Sequence, residues 1–360
     1  MGHVRPFAED DIPHVVELRQ KCFRFSDRSS LEELRSYFKE IFFHNPWCDK
    51  DLPSLVYQDE NRQIVGFLGV VPRRMLMKGR PIRVAVSTQF MVDPSSRSSL
   101  AAVELLKKFY SGPQDLSFAD LAYDSGRRLW ESLGGTAALL YSIYWTRILR
   151  PCRYGIPFLR THGLPRAVGF AVRPIFDLVD AIVTRIPSSP FRQVMPQGSG
   201  EEMDTETLLK CFSEFSGSQS LWPEYDHGSL QWLLEKVGLK KGYGTLQKVV
   251  IRSAERVVLG WYLYFLIPRG ISTVIQITAR RNAIEAVLDH LFHHAWQHGA
   301  VALVGRLEPR FLREFSNKYC YFHSDGPSVL VHSHNSEVLQ AVLSGDAFLT
   351  RLEGEWWLSF

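Results

Sequence analysis

The 360 residues contain no uninterrupted apolar stretch approaching the ~20 needed to cross a bilayer, so the sequence predicts no transmembrane segment. Charge of one sign is also scarce. Lys+Arg 42 against Asp+Glu 38 leaves a formal net charge of +4, too small for a surface built to neutralise many phosphates, and nucleic acid is set aside as a partner. Cysteine is sparse and badly placed for either a disulfide framework or a metal. The five residues Cys22, Cys48, Cys152, Cys211 and Cys320 are odd in number, far apart, and show neither CxxC nor Cys/His ligand spacing. The opening MGHVRPFAEDD lacks the apolar centre of a secretory signal. A reducing, cytoplasmic setting is the expectation. What is abundant points to folded domains: 45% hydrophobic residues with 22% charged excludes a disordered chain, and the length predicts two cores rather than one. Oligomeric state is not legible.

The local patterns give an order of elements. VRPFAEDDIPHVVELRQKCF reads as a strand, then a helix begun at Asp10 or Asp11 with Pro13 in its first turn. SSLEELRSYFKEIFF carries a Ser29/Ser30 cap with a Glu three residues on, and repeats Leu34, Phe38, Ile41 and Phe42 at helical spacing. Residues 53–92 hold three apolar runs broken by DENR and KGRP, the pattern of an antiparallel meander. After Val92 the chain turns through DPSSRSS into the helical run LAAVELLKKFY, then strand QDLSFADLAY, helix SGRRLWESLGG and strand AALLYSIYWTRI. Residues 151–190, rich in Pro and Gly around the amphipathic PIFDLVDAIVTRI, read as a connection. Beyond them the element order repeats, without visible identity between the halves.

One stretch carries more than secondary structure. Val92, Pro94, Arg97 and Ala102, followed by Leu105 and Leu106, fall on the spacing V-x-P-x-x-[RQ]-x-x-G-x-[GA] before an apolar helix, and SGRRLWESLGG follows a second pattern at Leu129, Leu133 and Gly134. On these residues the first half resembles the GNAT superfamily of acyl-CoA N-acyltransferases. The resemblance implies an α+β (mixed α/β) fold with two GNAT-like domains in tandem, each a mostly antiparallel twisted sheet flanked by helices. Residues 1–150 would form an acyl-CoA-binding domain, 151–190 the connecting segment, and 191–360 a second, more degenerate domain. It implies acetyl-CoA or another acyl-CoA as co-substrate, no metal, and a small-molecule amine as acceptor.

The resemblance also implies a site. Arg97 and the amides of Ser98, Ser99, Leu100, Ala101 and Ala102 would cradle the pyrophosphate, because the first amides of a helix are unpaired and carry partial positive charge. Backbone groups of Met91 and Val92 would face the developing oxyanion beside a bulge. Departures are visible: Leu100 stands where the family has its first glycine, and Trp130 where it has a tyrosine. Asp120, Tyr123 and Asp124, at the end of the strand expected to splay, are the candidate acid and base, with Tyr123 preferred as acid and Asp120 as base. Each also has a plain structural reading, Asp124 as a helix cap above all.

His290, His293, His294 and His298 share a helix but form no HExxH pattern, and metal is not expected there. The aromatic ending DAFLTRLEGEWWLSF should be docked, either as a strand of the second sheet or with Phe360 offering a carboxylate base, as some tandem GNAT acetyltransferases and the N-myristoyltransferases do. Two other functions remain open. One is an inactive GNAT-fold binding or scaffold protein; the other is a Fem-type aminoacyl transferase, for which a more basic surface is expected.

Overall fold

The computed structural model describes residues 2–23, 30–95, 99–161 and 173–358. In chain order its elements are β1 (His3–Pro6), α1 (Ile12–Cys22), α2 (Leu31–Phe43), β2 (Leu55–Gln58), β3 (Ile64–Met77), β4 (Arg80–Val92), α3 (Ser99–Tyr110), β5 (Leu116–Ala122), α4 (Asp124–Ser132), β6 (Thr136–Ala137) and β7 (Tyr144–Ile148). They continue with α5 (Pro151–Thr161), α6 (Arg173–Val183), β8 (Ser199–Glu202), α7 (Thr205–Glu214), β9 (Leu221–Pro223), α8 (His227–Gly238), β10 (Thr245–Arg252), β11 (Val258–Leu266), β12 (Ile271–Ala279) and α9 (Ile284–Gln297). The last are β13 (Ala302–Arg306), α10 (Leu312–Asn317), β14 (Tyr321–His323), β15 (Ser328–His332) and α11 (Ser336–Leu343).

Two compact units result, neither of them continuous in sequence. The first takes Met1–Ser142, Ser216–Leu233 and Pro327–Phe360; the second takes Ile143–Phe215 and Leu234–Gly326. This partition crosses the linear division at residues 150 and 190. β7 pairs into the second sheet, although it belongs to the first 150 residues, and β15 pairs between β5 and β6 in the first. AALLYSIYWTRI is correspondingly not one strand: Thr136–Ala137 stays with the first sheet, Leu139–Ser142 turns as a 3-10 helix, and Tyr144–Ile148 joins the other sheet. Local periodicity reports that a run is extended but not which distant strand it will pair with.

In the first unit the sheet runs β1-β2-β3-β4-β5-β15-β6, with β9 added to β3. All its pairings are antiparallel except β4 with β5. β3 and β4 form a long hairpin closed by Lys78 (φ 48°) and Gly79 (φ 80°), two consecutive left-handed residues of the kind a two-residue hairpin turn demands. One face of the sheet is packed by α3 and α4 through Val70, Ala85, Leu105, Leu106 and Trp130. The other is packed by α1 and α2 through Phe7, Val16, Phe38, Phe67 and Met91. α2 is started by the expected capping box: Glu33 N–H donates to Ser30 Oγ at 3.2 Å and Ser30 N–H to the Glu33 carboxylate at 2.8 Å.

The second unit has its own seven-stranded sheet, β14-β7-β13-β12-β11-β10-β8. Again one pairing is parallel, β12 with β13, and it covers only Ile271–Val274. α9 follows β12 and buries Val287, Leu288 and Leu291 in the core. Both units therefore repeat one plan: an antiparallel meander, a central parallel pair, and a helix leaving the end of its first strand.

Candidate functional site

In the first unit β4 and β5 are paired only at Val84–Leu116, Ala85–Ser117 and Val86–Phe118. Beyond Val86 the two parallel strands have no ladder between them, so the sheet opens along Ser87–Val92 on one side and Ala119–Ala122 on the other. A bulge marks the opening. Between Phe67–Met91 and Gly69–Thr88 the β3–β4 register shifts, and Gln89 adopts φ 51°, a conformation uncommon for a residue with a Cβ. The register shift lies between Thr88 and Met91. Met91 is 3% exposed, its side chain packed with α1 and α2, while the Val92 carbonyl accepts from Cys22 Sγ at 3.4 Å.

At the end of β4, Asp93 accepts the Ser95 amide (2.8 Å) and hydroxyl (2.6 Å) and meets Lys21 Nζ at 3.3 Å, which folds the turn toward α3. Leu100 in the first turn of α3 is 47% exposed, whereas Ala101 is fully buried against the sheet. A helix start of this kind offers unpaired amides to an anion. Ser99 and Ala102 contribute backbone to the same turn. Arg97 and Ser98 lie outside the described residues, as does Phe360.

The opening is spanned by a segment the motif reading did not place there, Ala347–Leu358, called the strap below. Glu355 is 9% exposed and its carboxylate joins both strands: it accepts the Leu121 amide of β5 at 3.1 Å and the side-chain hydroxyl of Thr88 of β4. Its own amide donates to Asp120 Oδ1 at 2.6 Å. Gly354 lies flat on the same carboxylate, since a Cβ there would sit 2.2 Å from Asp120 Cγ. Burial, and then the neighbouring Asp120 charge, push the Glu355 carboxyl up to about 8. Further along, the Leu358 carbonyl accepts from Tyr37 Oη at 2.7 Å and Gln89 Nε2 at 3.4 Å, and Gln89 Oε1 in turn accepts from Arg19.

Asp120, 1% exposed, is therefore in the opening beside a second carboxyl. Tyr123 and Asp124 sit at its rim: Tyr123 is 69% exposed at the N-cap of α4, and Asp124 is the exposed first residue of that helix. Trp130 is a core residue, edge-on to Tyr110 at 5.3 Å. Glu355, Thr88, Arg19 and Tyr37 went unnoticed in the sequence. The one available signal was the acid pair in RLEGEWW, two carboxylates in an aromatic run that has to be buried. The strap is not a strand of the second sheet; it folds as turns and a 3-10 helix at Trp356–Leu358 and belongs to the first unit. Glycine and charge interrupt the period-2 pattern a strand needs.

The second unit repeats the opening with different occupants. β12 and β13 part after Val274–Gly305, the β11–β12 register shifts between Leu263 and Tyr264, and the Arg310 guanidinium reaches Thr278 Oγ1 across the gap. Arg280, just beyond β12, is engaged by Glu214 and donates to the Val258 carbonyl. Two of the four histidines face the sheet: His290 Nδ1 pairs with Tyr262 Oη at 2.9 Å and His294 Nδ1 with Tyr264 Oη at 2.8 Å, whereas His298 is exposed at the end of α9. Burial drives both rings down to about 4. Among the described residues no group of three metal-ligating side chains gathers, and no helix is long and apolar enough to cross a membrane.

A bulged antiparallel sheet that opens at one parallel pair, with a helix N-terminus at the head of the opening, is the arrangement of a GNAT-like fold. Residues 3–114 match the family model described as "Acetyltransferase (GNAT) domain", and the two units together have the fold of GNAT-like neighbours. Among solved structures it is similar to a probable N-acyltransferase from Enterococcus faecalis V583 (10% identity, 96% of this chain and 74% of that one, TM-score 0.60). It is also similar to a GCN5-related N-acetyltransferase from Anabaena variabilis ATCC 29413 (11%, 95% and 75%, TM-score 0.61) and to another from Kribbella flavida (12%, 92% and 71%, TM-score 0.56). These likenesses are of fold. No curated protein matches the sequence.

Proposed function

We propose that the chain is an acyl-CoA-dependent N-acyltransferase whose reaction takes place in the β4–β5 opening of the first unit, with acetyl-CoA or a longer acyl-CoA as donor and a small-molecule amine as acceptor. The observation that carries this reading is the buried Glu355 carboxylate, bonded to both parting strands and paired with Asp120. A base with an affinity for protons near neutrality suits the removal of a proton from an amine as it attacks a carbonyl carbon. Glu355 takes that proton, and Asp120 positions its backbone. Backbone groups of Met91 and Val92 receive the oxyanion, while the turn at Arg97, Ser98 and Ser99 and the α3 amides through Leu100, Ala101 and Ala102 hold the pyrophosphate. Tyr123, exposed at the rim, returns a proton to the departing thiolate; Asp124 favours the start of α4.

The test begins with acyl-CoA binding. Saturation at a hundred times the dissociation constant stabilises a protein by about 2.7 kcal/mol, which melting curves resolve. Acetyl-CoA and longer acyl-CoAs should raise the melting temperature, and Arg97→Ala should remove most of the rise. With an amine that is turned over, Glu355→Gln should cut kcat by ~10²-fold or more. No stabilisation by millimolar acyl-CoA of any chain length would sink the enzyme reading. It would favour a GNAT-fold scaffold, which the exposed Leu100 at the phosphate turn also fits.

A further inference from the structure

Arg73 stands in the middle of β3, opposite Val84 of β4, on the sheet face that also carries the strap. It is 5% exposed, and its Nε, Nη1 and Nη2 atoms are all buried with no hydrogen-bond partner. Every donor of a guanidinium is thus withdrawn from water and unused, an arrangement that folded proteins avoid unless something else supplies the acceptors. The flat faces of the group are taken: its Cζ lies 3.8 Å from the centre of the Trp47 ring and 5.1 Å from that of Trp357. The edge, where an in-plane acceptor would bind, is left without a partner. Among the described residues the carboxylate that influences Arg73 is Glu353, whose oxygens accept from the Thr350 amide (2.8 Å) and hydroxyl and from Tyr225 Oη (3.1 Å).

Arg73 belongs to two cavities at once. One is a small enclosed space of about 10 Å³, walled by Val84, Phe118, Tyr225, Leu349 and Glu353. The other is an open cleft of about 570 Å³ reached past Asp49, Asp51 and Arg83. Trp47 and Arg74 line both. The small space alone admits about one water, so a larger anion would have to enter from the cleft past the Trp47 ring.

We propose that Arg73 is the receptor for a carboxylate carried by the acceptor, so that the acceptor is an amine bearing a carboxylate at its far end. A guanidinium stacked between aromatic rings presents two parallel N–H donors, the geometry a carboxylate matches. A more highly charged phosphate would be repelled by Glu353, whereas a monoanion is repelled less. The spacing selects the kind of amine. Thr88, which bonds Glu355, is four residues along β4 from Val84, roughly 13 Å at ~3.3 Å per residue. Arg73 and Glu355 therefore address the two ends of an extended molecule rather than two groups on one carbon. This rests on the reading of Glu355 as the base.

The experiment uses full-length protein and the series of ω-amino carboxylates with three to seven methylenes, each paired with the alkylamine of equal length. Calorimetry without acyl-CoA should detect the carboxylates and miss the alkylamines, and Arg73→Met should abolish the heat while Arg73→Lys retains a weakened signal. A free carboxylate without an amine, hexanoate, should compete. Binding that survives Arg73→Met, or equal binding of the alkylamines, overturns the proposal. So does the absence of any carboxylate binding together with a more stable Arg73→Met protein, which marks the arginine as a buried structural charge. Carboxylates that bind through Arg73 but are never acylated leave this site standing and remove the acyltransferase reading instead.

Discussion

Glu355 holds its proton more tightly in the folded protein than an unfolded glutamate does, and the sign of its effect on stability follows. Between about 4.5, the ordinary value of a glutamate, and about 8 the folded form keeps a proton that the unfolded chain has released, so stability falls as pH rises through that window and levels off above it. One such group contributes a slope of at most about 1.4 kcal/mol per pH unit. Glu355→Gln should flatten this part of the stability–pH curve and leave the variant more stable than wild type at pH 9. Denaturant melts from pH 5 to 9 read it directly, and parallel curves for the two proteins would mean that the carboxyl is not held protonated. Gly354 gives a steric counterpart. A methyl placed 2.2 Å from the Asp120 carboxyl carbon cannot be accommodated without movement, so Gly354→Ala should lower stability by about 1–3 kcal/mol and reduce turnover far more, through displacement of Glu355. Neither residue announces itself in the sequence, because a buried acid and an exposed one are written with the same letter.

Among the elements, those shaped by local rules were legible. The Ser30–Glu33 box and the Lys78-Gly79 turn both rest on neighbours within a few positions, and they formed where expected. Replacing Ser30 by alanine should cost about 1 kcal/mol, as N-cap losses do, measurable as a shift in midpoint without change in m-value. The bulge at Gln89 was also legible, but only through the resemblance, since nothing in QFMV itself demands a left-handed residue. What escaped was every feature made by long-range placement: the insertion of β15 beside β5, the escape of β7 to the other sheet, and the folding of the strap over the opening. α2 connects local and distant effects. Its Tyr37 hydroxyl donates to the Leu358 carbonyl, so Tyr37→Phe should loosen the strap by about 1 kcal/mol and speed proteolytic cutting at Arg351 while α2 itself stays helical by circular dichroism.

At the scale of the whole molecule, the segments that complete each sheet come from the other half of the chain. A fragment ending at Ser142 contains β1 to β6 but lacks β15, which separates β5 from β6, and lacks the strap. Expressed alone, it should not melt as a cooperative monomer, and adding residues 327–360 in trans should restore little without the connections between them. A soluble fragment 1–142 with a sharp thermal transition would show that the exchange is dispensable.

The interleaving also fixes an order of events in the making of the protein. Between Ser142 and Pro327 lie 184 residues, a stretch that a translating ribosome covers in roughly 10 to 40 s at 5–20 residues per second. For that time the nascent first unit waits with β5 unpaired on one side and its opening unspanned, its apolar edge available to chaperones or to a neighbouring chain. Glu355 is made only after residues 143–326 have been. If it is the base proposed above, a chain whose translation stops before residue 327 would fold, if it folds at all, without that base.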